Sequence, residues 1–196
     1  MSTYKTLAHT SESLYKEKGS KFYGFAYPIH NVDEYKILMR GLAEEHPKAR
    51  HICSALLLGS GDEEYYLMND DGEPNNSAGA PILGQIRSHD ITNASIAVVR
   101  YFGGTKLGLS GLISAYKIAA DEAIKGNKII KVEPTSTLIF EVSYALLGDI
   151  LSVIDRNNLE VSQEHHTLGA KISISCKTDE LNAIKQLFAP FDITIT

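Results

Sequence analysis

AVVRYFGGTKLGLSGLISAYKIAADEA, residues 97–123, is the stretch that decides the fold of the first two-thirds of this 196-residue chain. An apolar run predicts the end of a strand, Gly103 and Gly104 interrupt it, and apolar residues then recur at helical spacing. Such a turn can leave backbone N–H groups unpaired at the helix N-terminus, where the helix dipole is positive. Because Arg100 precedes the turn and Lys106 follows it, the stretch predicts an anion-binding site.

The composition is typical of a globular protein, with 43% hydrophobic and 22% charged residues and a formal net charge of −5. Residues 131–196 carry most of that charge, with 5 Lys and Arg against 9 Asp and Glu. Any contact with a polyanion therefore belongs to a local patch in residues 1–130. The sequence has neither an apolar run of the ~20 residues that cross a bilayer nor the apolar segment of a secretory signal. We therefore expect a cytoplasmic protein, with a monomer as the working assumption.

Shorter elements precede the glycine turn. Residues 1–30 suggest two strands joined by the sequence KEKGSK, residues 16–21, which is the densest basic cluster of the chain. Asn31 and Glu34 have the spacing of a capping box and predict a helix start. Further strands are predicted at 52–58, 65–68 and 94–102, and a short helix at 77–89.

An acidic loop, NDDGEPNNSAGAP at residues 69–81, lies between two of these elements. Its three carboxylates are Asp70, Asp71 and Glu73, set among glycines and prolines that exclude regular structure. One interpretation is a tight connection in which the aspartates accept hydrogen bonds from nearby backbone N–H groups. The other is a wall of a site or a Mg²⁺ site, since that ion takes one or two carboxylates together with water.

The pattern restarts after residues 131–135, KVEPT, which are predicted to be a linker. Alternating and helical apolar patterns then follow each other in the order βαββαβ, with the last strand at 193–196. This order is that of the ferredoxin-like arrangement. The sequence therefore predicts an α+β protein of two domains, at 1–130 and 136–196.

Four stretches of the first domain resemble the IMPACT family of YigZ-like proteins. They are KGSKF at 18–22, ARHICSA at 49–55, DDGEP at 70–74 followed by AGAP at 78–81, and VVRYFGGTKLG at 98–108. The chain departs from the family at Asn76 and Ser77, where Gly-Thr is usual. The path of the acidic loop is therefore expected to differ slightly.

The resemblance implies a first domain like ribosomal protein S5 domain 2, an α/β sandwich with helices on one side of a sheet. It likens the second domain to the C-terminal domain of bacterial members, which is itself similar to a domain of elongation factor G. It also implies a link to translation. Eukaryotic relatives bind a partner and restrain initiation-factor kinase signalling, whereas nucleic-acid or ribosome binding is proposed for bacterial members.

The spacing of the residues does not match a known catalytic motif. The glycine turn has neither the G-x-x-x-x-G-K-[ST] register of a P-loop nor the G-x-G-x-x-G of a dinucleotide fold. His51 is the best single histidine for chemistry, although a histidine at a strand edge is more often structural. No catalytic residue, metal ligand or cofactor is therefore predicted.

The first hypothesis is a non-catalytic, translation-associated regulator that binds RNA, the ribosome or a translation-factor partner. Its anion-binding surface comprises Lys18, Lys21, His51, Arg100, Tyr101, Gly103, Gly104, Thr105 and Lys106. Tyr101 or Phe102 could stack on an unpaired base, although core aromatics at a strand end are at least as good an interpretation. The alternative is a Mg²⁺-dependent enzyme on a phosphorylated or nucleotide substrate, with the acidic loop holding the metal. A protein–protein adaptor is the third hypothesis.

Overall fold

The computed structural model describes residues 3–191 and 193, which divide into two compact units. The first unit spans Tyr4–Val132, and the second begins at Glu133. Helices and strands are mixed in both, so the α+β class predicted from the sequence is confirmed. Across the described residues, no helix is both long enough and apolar enough to cross a membrane.

A five-stranded antiparallel sheet forms the centre of the first unit. The elements in chain order are β1 (Tyr4–Leu7), β2 (Ser11–Glu17), β3 (Ser20–Pro28), α1 (Val32–Glu45), β4 (His51–Leu58), β5 (Tyr65–Asn69), α2 (Gly79–Ser88), β6 (Ala94–Tyr101), α3 (Gly108–Lys125) and β7 (Ile129–Val132). The order of the strands in the sheet is β2-β3-β6-β4-β5, and β1 pairs separately with β7.

Helices cover both faces of the five-stranded sheet, because its strands send apolar side chains alternately to either side. Ile96 and Val98 of β6 belong to the core cluster that includes α2 and α3. Ala97 and Val99 belong to a second cluster, in which Leu42 of α1 packs. The expectation of helices on one side only is therefore wrong, since α1 lies on the opposite face.

The close packing of α3 depends on a small residue in β3. A Cβ atom on Gly24 would lie 2.5 Å from the carbonyl oxygen of Ala119 in α3. The same carbonyl accepts a hydrogen bond from the Ser13 hydroxyl at 2.8 Å. Glycine at this position thus lets α3 approach the sheet closely enough to bond β2 directly.

The pairing of β1 with β7 is not predicted by the sequence. Residues 3–28 contain three strands rather than two, and Tyr4 of the first lies opposite Val132. Lys131 is likewise paired, with Lys5, so the first two residues of the predicted linker belong to a strand. Leu7 at the end of β1 is 1% exposed, and its burial explains why this short strand is held in place.

The second unit contains a three-stranded antiparallel sheet in the order β8-β10-β9. Its elements are β8 (Thr135–Ser143), α4 (Tyr144–Arg156), β9 (Glu160–His166), β10 (Gly169–Lys177) and α5 (Leu181–Phe188). A separate core joins one face of the sheet to the two helices, with Phe140 and Phe188 at its centre. The predicted last strand falls on residues 193–196, of which 194–196 lie outside the described residues.

Candidate functional site

Two turns that are far apart in the sequence touch each other in the structure. Lys18 and Gly19 form the two-residue turn between β2 and β3, with φ of 46° and 82°. A Cβ atom on Gly103 would lie 1.9 Å from the carbonyl carbon of Gly19, so only glycine fits between the turns. The Gly103 N–H donates a hydrogen bond to the Ser20 hydroxyl at 3.1 Å. The basic cluster of the β2–β3 hairpin is thereby joined to the glycine turn.

This contact creates an exposed basic surface, which we call the glycine-turn surface. Its residues are Lys18, Lys21, Gly103, Gly104, Thr105 and Lys106, all of them exposed. The surface leads into α3, whose first residue is Gly108 and whose start has no side-chain cap among the described residues. Lys106 and an uncapped helix start therefore lie in one segment, beside the lysines of the hairpin, an arrangement that suits an anion.

Arg100 does not belong to this surface. It is 6% exposed, and its Nη1 atom lies 2.5 Å from Oε1 of Glu73, which is itself buried. The guanidinium lies over the rings of Phe22 and Phe102, at 5.5 and 5.6 Å from their centroids. This burial contradicts the predicted contact of Arg100 with a phosphate, because the charge of Arg100 is already neutralised inside the protein.

Glu73 is the centre of a buried hydrogen-bond network. The Tyr116 hydroxyl of α3 donates to Oε1 of Glu73 at 2.7 Å, and Cys53 Sγ lies 3.3 Å from that hydroxyl. Burial, together with the neighbouring Cys53 and Glu73, raises the pKa of Tyr116 far above its ordinary value. Burial also raises the pKa of Cys53, which makes this thiol a poor nucleophile. The network joins the acidic loop to β4, β6 and α3.

His51 is tied to the acidic loop rather than to the glycine turn. Its Nδ1–H donates to the carbonyl oxygen of Asp71 at 2.7 Å, while Nε2 lies 4.0 Å from Oε1 of Glu73. Its side chain is 22% exposed. This geometry fits the structural role of a strand-edge histidine, because the ring braces the loop against β4.

Asp70 and Asp71 hold the acidic loop in shape. Asp70 accepts hydrogen bonds from the backbone N–H groups of Asn76, Ala78 and Gly79, at 2.8 to 2.9 Å. Asp71 accepts one from the Ile52 N–H at 2.6 Å. These contacts favour the interpretation as a tight connection, in which the Asp70 carboxylate takes the place of a helix cap for α2 and Asp71 ties the loop to β4. Within the described part of the chain, no group of three or more His, Cys, Asp or Glu side chains is arranged to hold a metal ion.

The departure from the family at Asn76 has a simple structural basis. Asn76 has φ of 61°, a left-handed conformation that glycine adopts freely and asparagine tolerates. Ser77 donates from its hydroxyl to the carbonyl of Pro74 at 2.6 Å. Asparagine and serine can therefore occupy this turn without a special change in its backbone.

Replacing Asp70 by asparagine is expected to lower the free energy of unfolding at neutral pH by about 1–2 kcal/mol. Burial alone would raise the pKa of Asp70, but its hydrogen bonds from Gly79, Asn76 and Ala78 outweigh burial and lower it. A lowered pKa in the folded state stabilises the fold above the ordinary aspartate value of about 3.9, and this stability is lost as the pH falls through the folded-state pKa. Urea unfolding between pH 2 and 7 should show a smaller acid loss in Asp70→Asn than in the wild type. An equal acid loss in both would contradict this role.

An aromatic pocket adjoins the glycine-turn surface. Its volume is about 240 Å³, and Gly19, Lys21, Tyr23, Tyr101 and Phe102 line it. The Tyr101 hydroxyl is hydrogen-bonded to Nδ1 of His46 at 2.9 Å. The strand alternation of β3 places Tyr23 on the same face as Lys21, a signal that could have identified Tyr23 from the sequence. No pattern in the sequence indicates that His46, at the end of α1, contacts Tyr101.

Comparisons with known proteins agree with the resemblance of the four stretches. The family model described as the Impact N-terminal domain matches residues 18–124. An IMPACT family member of Haemophilus influenzae is 35% identical over 146 residues, 74% of this chain and 70% of the relative. The IMPACT family member YvyE of Bacillus subtilis is 26% identical over 184 residues, 94% of this chain and 84% of the relative. The crystal structure of a hypothetical protein is similar in fold, with a TM-score of 0.74 and 23% identity over 100% of this chain and 97% of that one.

Proposed function

Because this chain belongs to the IMPACT family, we propose that it is a non-catalytic, translation-associated regulator that binds RNA or the ribosome through its glycine-turn surface. The link to translation rests on what the family resemblance implies. A cytoplasmic location accompanies this role. For the second unit, the ferredoxin-like fold and its similarity to a domain of elongation factor G are part of the same proposal.

The contact between Gly19 and Gly103 is the observation that carries the proposal. It brings Lys18 and Lys21 of the hairpin to the turn that bears Lys106, although these lysines are some 85 residues apart in the sequence. Exposed lysines around a glycine backbone suit a phosphate chain, because the ammonium groups supply charge and the glycines allow close approach. In this proposal Arg100 contacts the ring of Phe102 and does not touch the phosphate.

An enzyme that uses the acidic loop to hold Mg²⁺ receives no support from the geometry. Asp70 is occupied by three backbone N–H groups, Asp71 by one, and Glu73 by Arg100 and Tyr116. A metal bound through Asp70 or Glu73 would compete with hydrogen bonds that hold α2 and α3 to the sheet. Non-catalytic binding is therefore the function that we propose.

Removing the three lysine charges together should weaken binding without harming the fold. Lys18→Asn keeps the turn, because Asn-Gly suits a turn with two positive φ angles, and Lys21→Gln and Lys106→Gln keep the side-chain length. If three phosphates are contacted, wild-type affinity for single-stranded RNA should fall about 20-fold between 50 and 200 mM salt. The triple variant should bind at least about tenfold more weakly at 50 mM salt and lose most of this salt dependence. RNA titration and co-sedimentation with ribosomes measure both effects.

A second triple variant provides the matched control. Lys117→Gln, Lys125→Gln and Lys128→Gln remove the same number of exposed charges from the middle of α3 and from its far end or just beyond it, within the same unit. This control should bind almost as the wild type does. If both triple variants lose affinity equally, binding reflects net charge alone and the proposed surface is wrong. Capture of a protein that survives nuclease treatment, with no RNA or ribosome binding, would instead favour the adaptor hypothesis.

A further inference from the structure

The face of the sheet next to the glycine-turn surface carries lysines and tyrosines in two adjacent rows. In the register of β2, β3 and β6, Lys16 lies opposite Lys21, and Lys21 lies opposite Tyr101. The next row on the same face contains Leu14 opposite Tyr23. We call these five residues the sheet platform: Leu14, Lys16, Lys21, Tyr23 and Tyr101.

The sheet platform lies beyond the end of α1, on the face that this helix covers. α1 ends at Glu45, and the ring of His46 contacts the rings of Tyr23 and Tyr101 with centroids 5.9 Å away from each. Leu14 is 44% exposed, and both lysines are exposed. The rows are therefore open to a ligand at this end of the face, where the 240 Å³ pocket lies.

The two tyrosine rings are held in fixed orientations. Their planes are at 80° to each other with centroids 5.8 Å apart, and the hydrogen bond to His46 fixes the Tyr101 hydroxyl. Phe102, which is 45% exposed, adds a third ring at the edge of the pocket. Rings that are already ordered lose little conformational entropy when a planar group stacks on them.

The charges on the sheet platform call for an anionic partner. Lys16 and Lys21 are directly opposite each other across two strands, an arrangement that destabilises a sheet unless an anion lies between or beside the two charges. Neither lysine has an ion pair with a carboxylate among the described residues. Glu12 and Glu45 lie near Tyr27, further along the same face, where burial and these two carboxylates raise the pKa of Tyr27 to about 12. The face is thus basic at the open end and acidic at the covered end.

We propose that the sheet platform binds single-stranded RNA, with an unpaired base stacked in the aromatic pocket and its flanking phosphates along the lysine row. This inference rests on the proposed function and states which form of RNA the surface selects. A base inside a duplex keeps both of its faces stacked and cannot reach the rings of a sheet, whereas an unpaired base can. Lys16, Leu14 and Tyr23 extend the glycine-turn surface along the sheet, so that a single RNA strand can lie across it.

The test compares one unstructured 12-nucleotide RNA with the duplex that it forms with its complement, by fluorescence anisotropy on the full chain. The wild type should bind the single strand at least tenfold more tightly than the duplex. Tyr23→Leu and Phe102→Leu should each weaken single-strand binding by about 5- to 50-fold and leave duplex binding unchanged. Tyr101→Phe, which keeps the ring, should bind within about twofold of the wild type. Tyr65→Leu changes a tyrosine on β5 that is about as exposed as Phe102, at 46% against 45%, and should have no effect.

The outcomes separate the two proposals. Equal affinity for single strand and duplex, with no effect of the ring variants, would overturn the sheet platform while the glycine-turn surface stands. Absence of binding to either RNA and to ribosomes would overturn the proposed function and the platform with it. Should a leucine variant fail to fold, photocrosslinking of 4-thiouridine RNA to the wild type decides the matter. Crosslinks at Tyr23, Tyr101 or Phe102 support the platform, and crosslinks confined to other elements refute it.

Discussion

Glu73→Ala is expected to lower the free energy of unfolding by about 3–5 kcal/mol, the largest loss from any single change considered for this protein. The substitution leaves the Arg100 guanidinium buried without its counter-charge, at 6% exposure. It also removes the acceptor of the Tyr116 hydroxyl, which is completely buried. The buried guanidinium then lacks its counter-charge and the buried hydroxyl lacks its carboxylate acceptor, so desolvation of both groups is left uncompensated. Urea denaturation followed by circular dichroism measures the loss.

A surface pair of the same chemistry serves as the control for Glu73→Ala. Glu64 and Arg87 lie 2.6 Å apart, but their side chains are 35% and 48% exposed. Glu64→Ala should therefore cost less than about 1 kcal/mol. Combining Glu73→Leu with Arg100→Met should restore much of the stability that Glu73→Ala loses, because no unpaired charge remains. A cost below about 1 kcal/mol for Glu73→Ala would show that the pair is not the buried contact described above.

Gly103→Ala is expected to abolish RNA or ribosome binding and to lower the free energy of unfolding by about 1–3 kcal/mol. The added Cβ atom would lie 2.2 Å from both the Gly19 oxygen and the Ser20 nitrogen. These are backbone atoms that no side-chain rotation can move away, so the two turns must separate. The hydrogen bond from the Gly103 N–H to the Ser20 hydroxyl should be lost with them.

The control for Gly103→Ala is another glycine-to-alanine change. A Cβ atom on Gly84, in the middle of α2, meets no atom within 4 Å. Gly84→Ala should leave binding unchanged and stabilise the protein by about 0.5–1 kcal/mol, because alanine favours the helix. Full ribosome co-sedimentation by a folded Gly103→Ala protein would refute the idea that the joined turns form the binding surface.

The features of the fold that depend only on residues close in the sequence could be predicted from it. Asn31 accepts a hydrogen bond from the Glu34 N–H at 2.9 Å, as the capping box predicts, because both partners lie in one turn. The apolar spacing of the sequence alone predicts β8, α4 and β10. The pairing of Lys5 with Lys131 could not be predicted in the same way, since neither strand carries a sign of its distant partner.

The candidate site could be predicted only in part, and Arg100 shows why. Its place in β6, two residues after Val98, puts it on the face that α2 and α3 cover, and this alternation is visible in the sequence. Its counter-charge, Glu73, is 27 residues away in a loop whose path no local pattern determines. An arginine beside a glycine turn therefore resembles a phosphate ligand until its partner is known. Gly103 is a position of close approach to the backbone of Gly19, whereas its predicted close approach to a phosphate stays a prediction.

The pairing of β1 with β7 brings the first and last strands of the first unit together. Its chain enters at Tyr4 and leaves at Val132, and these two residues lie opposite each other in adjacent strands. A cut at residue 130 would remove half of β7 and leave Tyr4 and Lys5 without their ladder partners, so a fragment that keeps the unit whole ends at Val132. Because the two ends are neighbours, a short link could join them and new termini could be opened in the turn at Gly61–Glu63. A circularly permuted chain should therefore form the same glycine-turn surface, although its strands would follow each other in a different order.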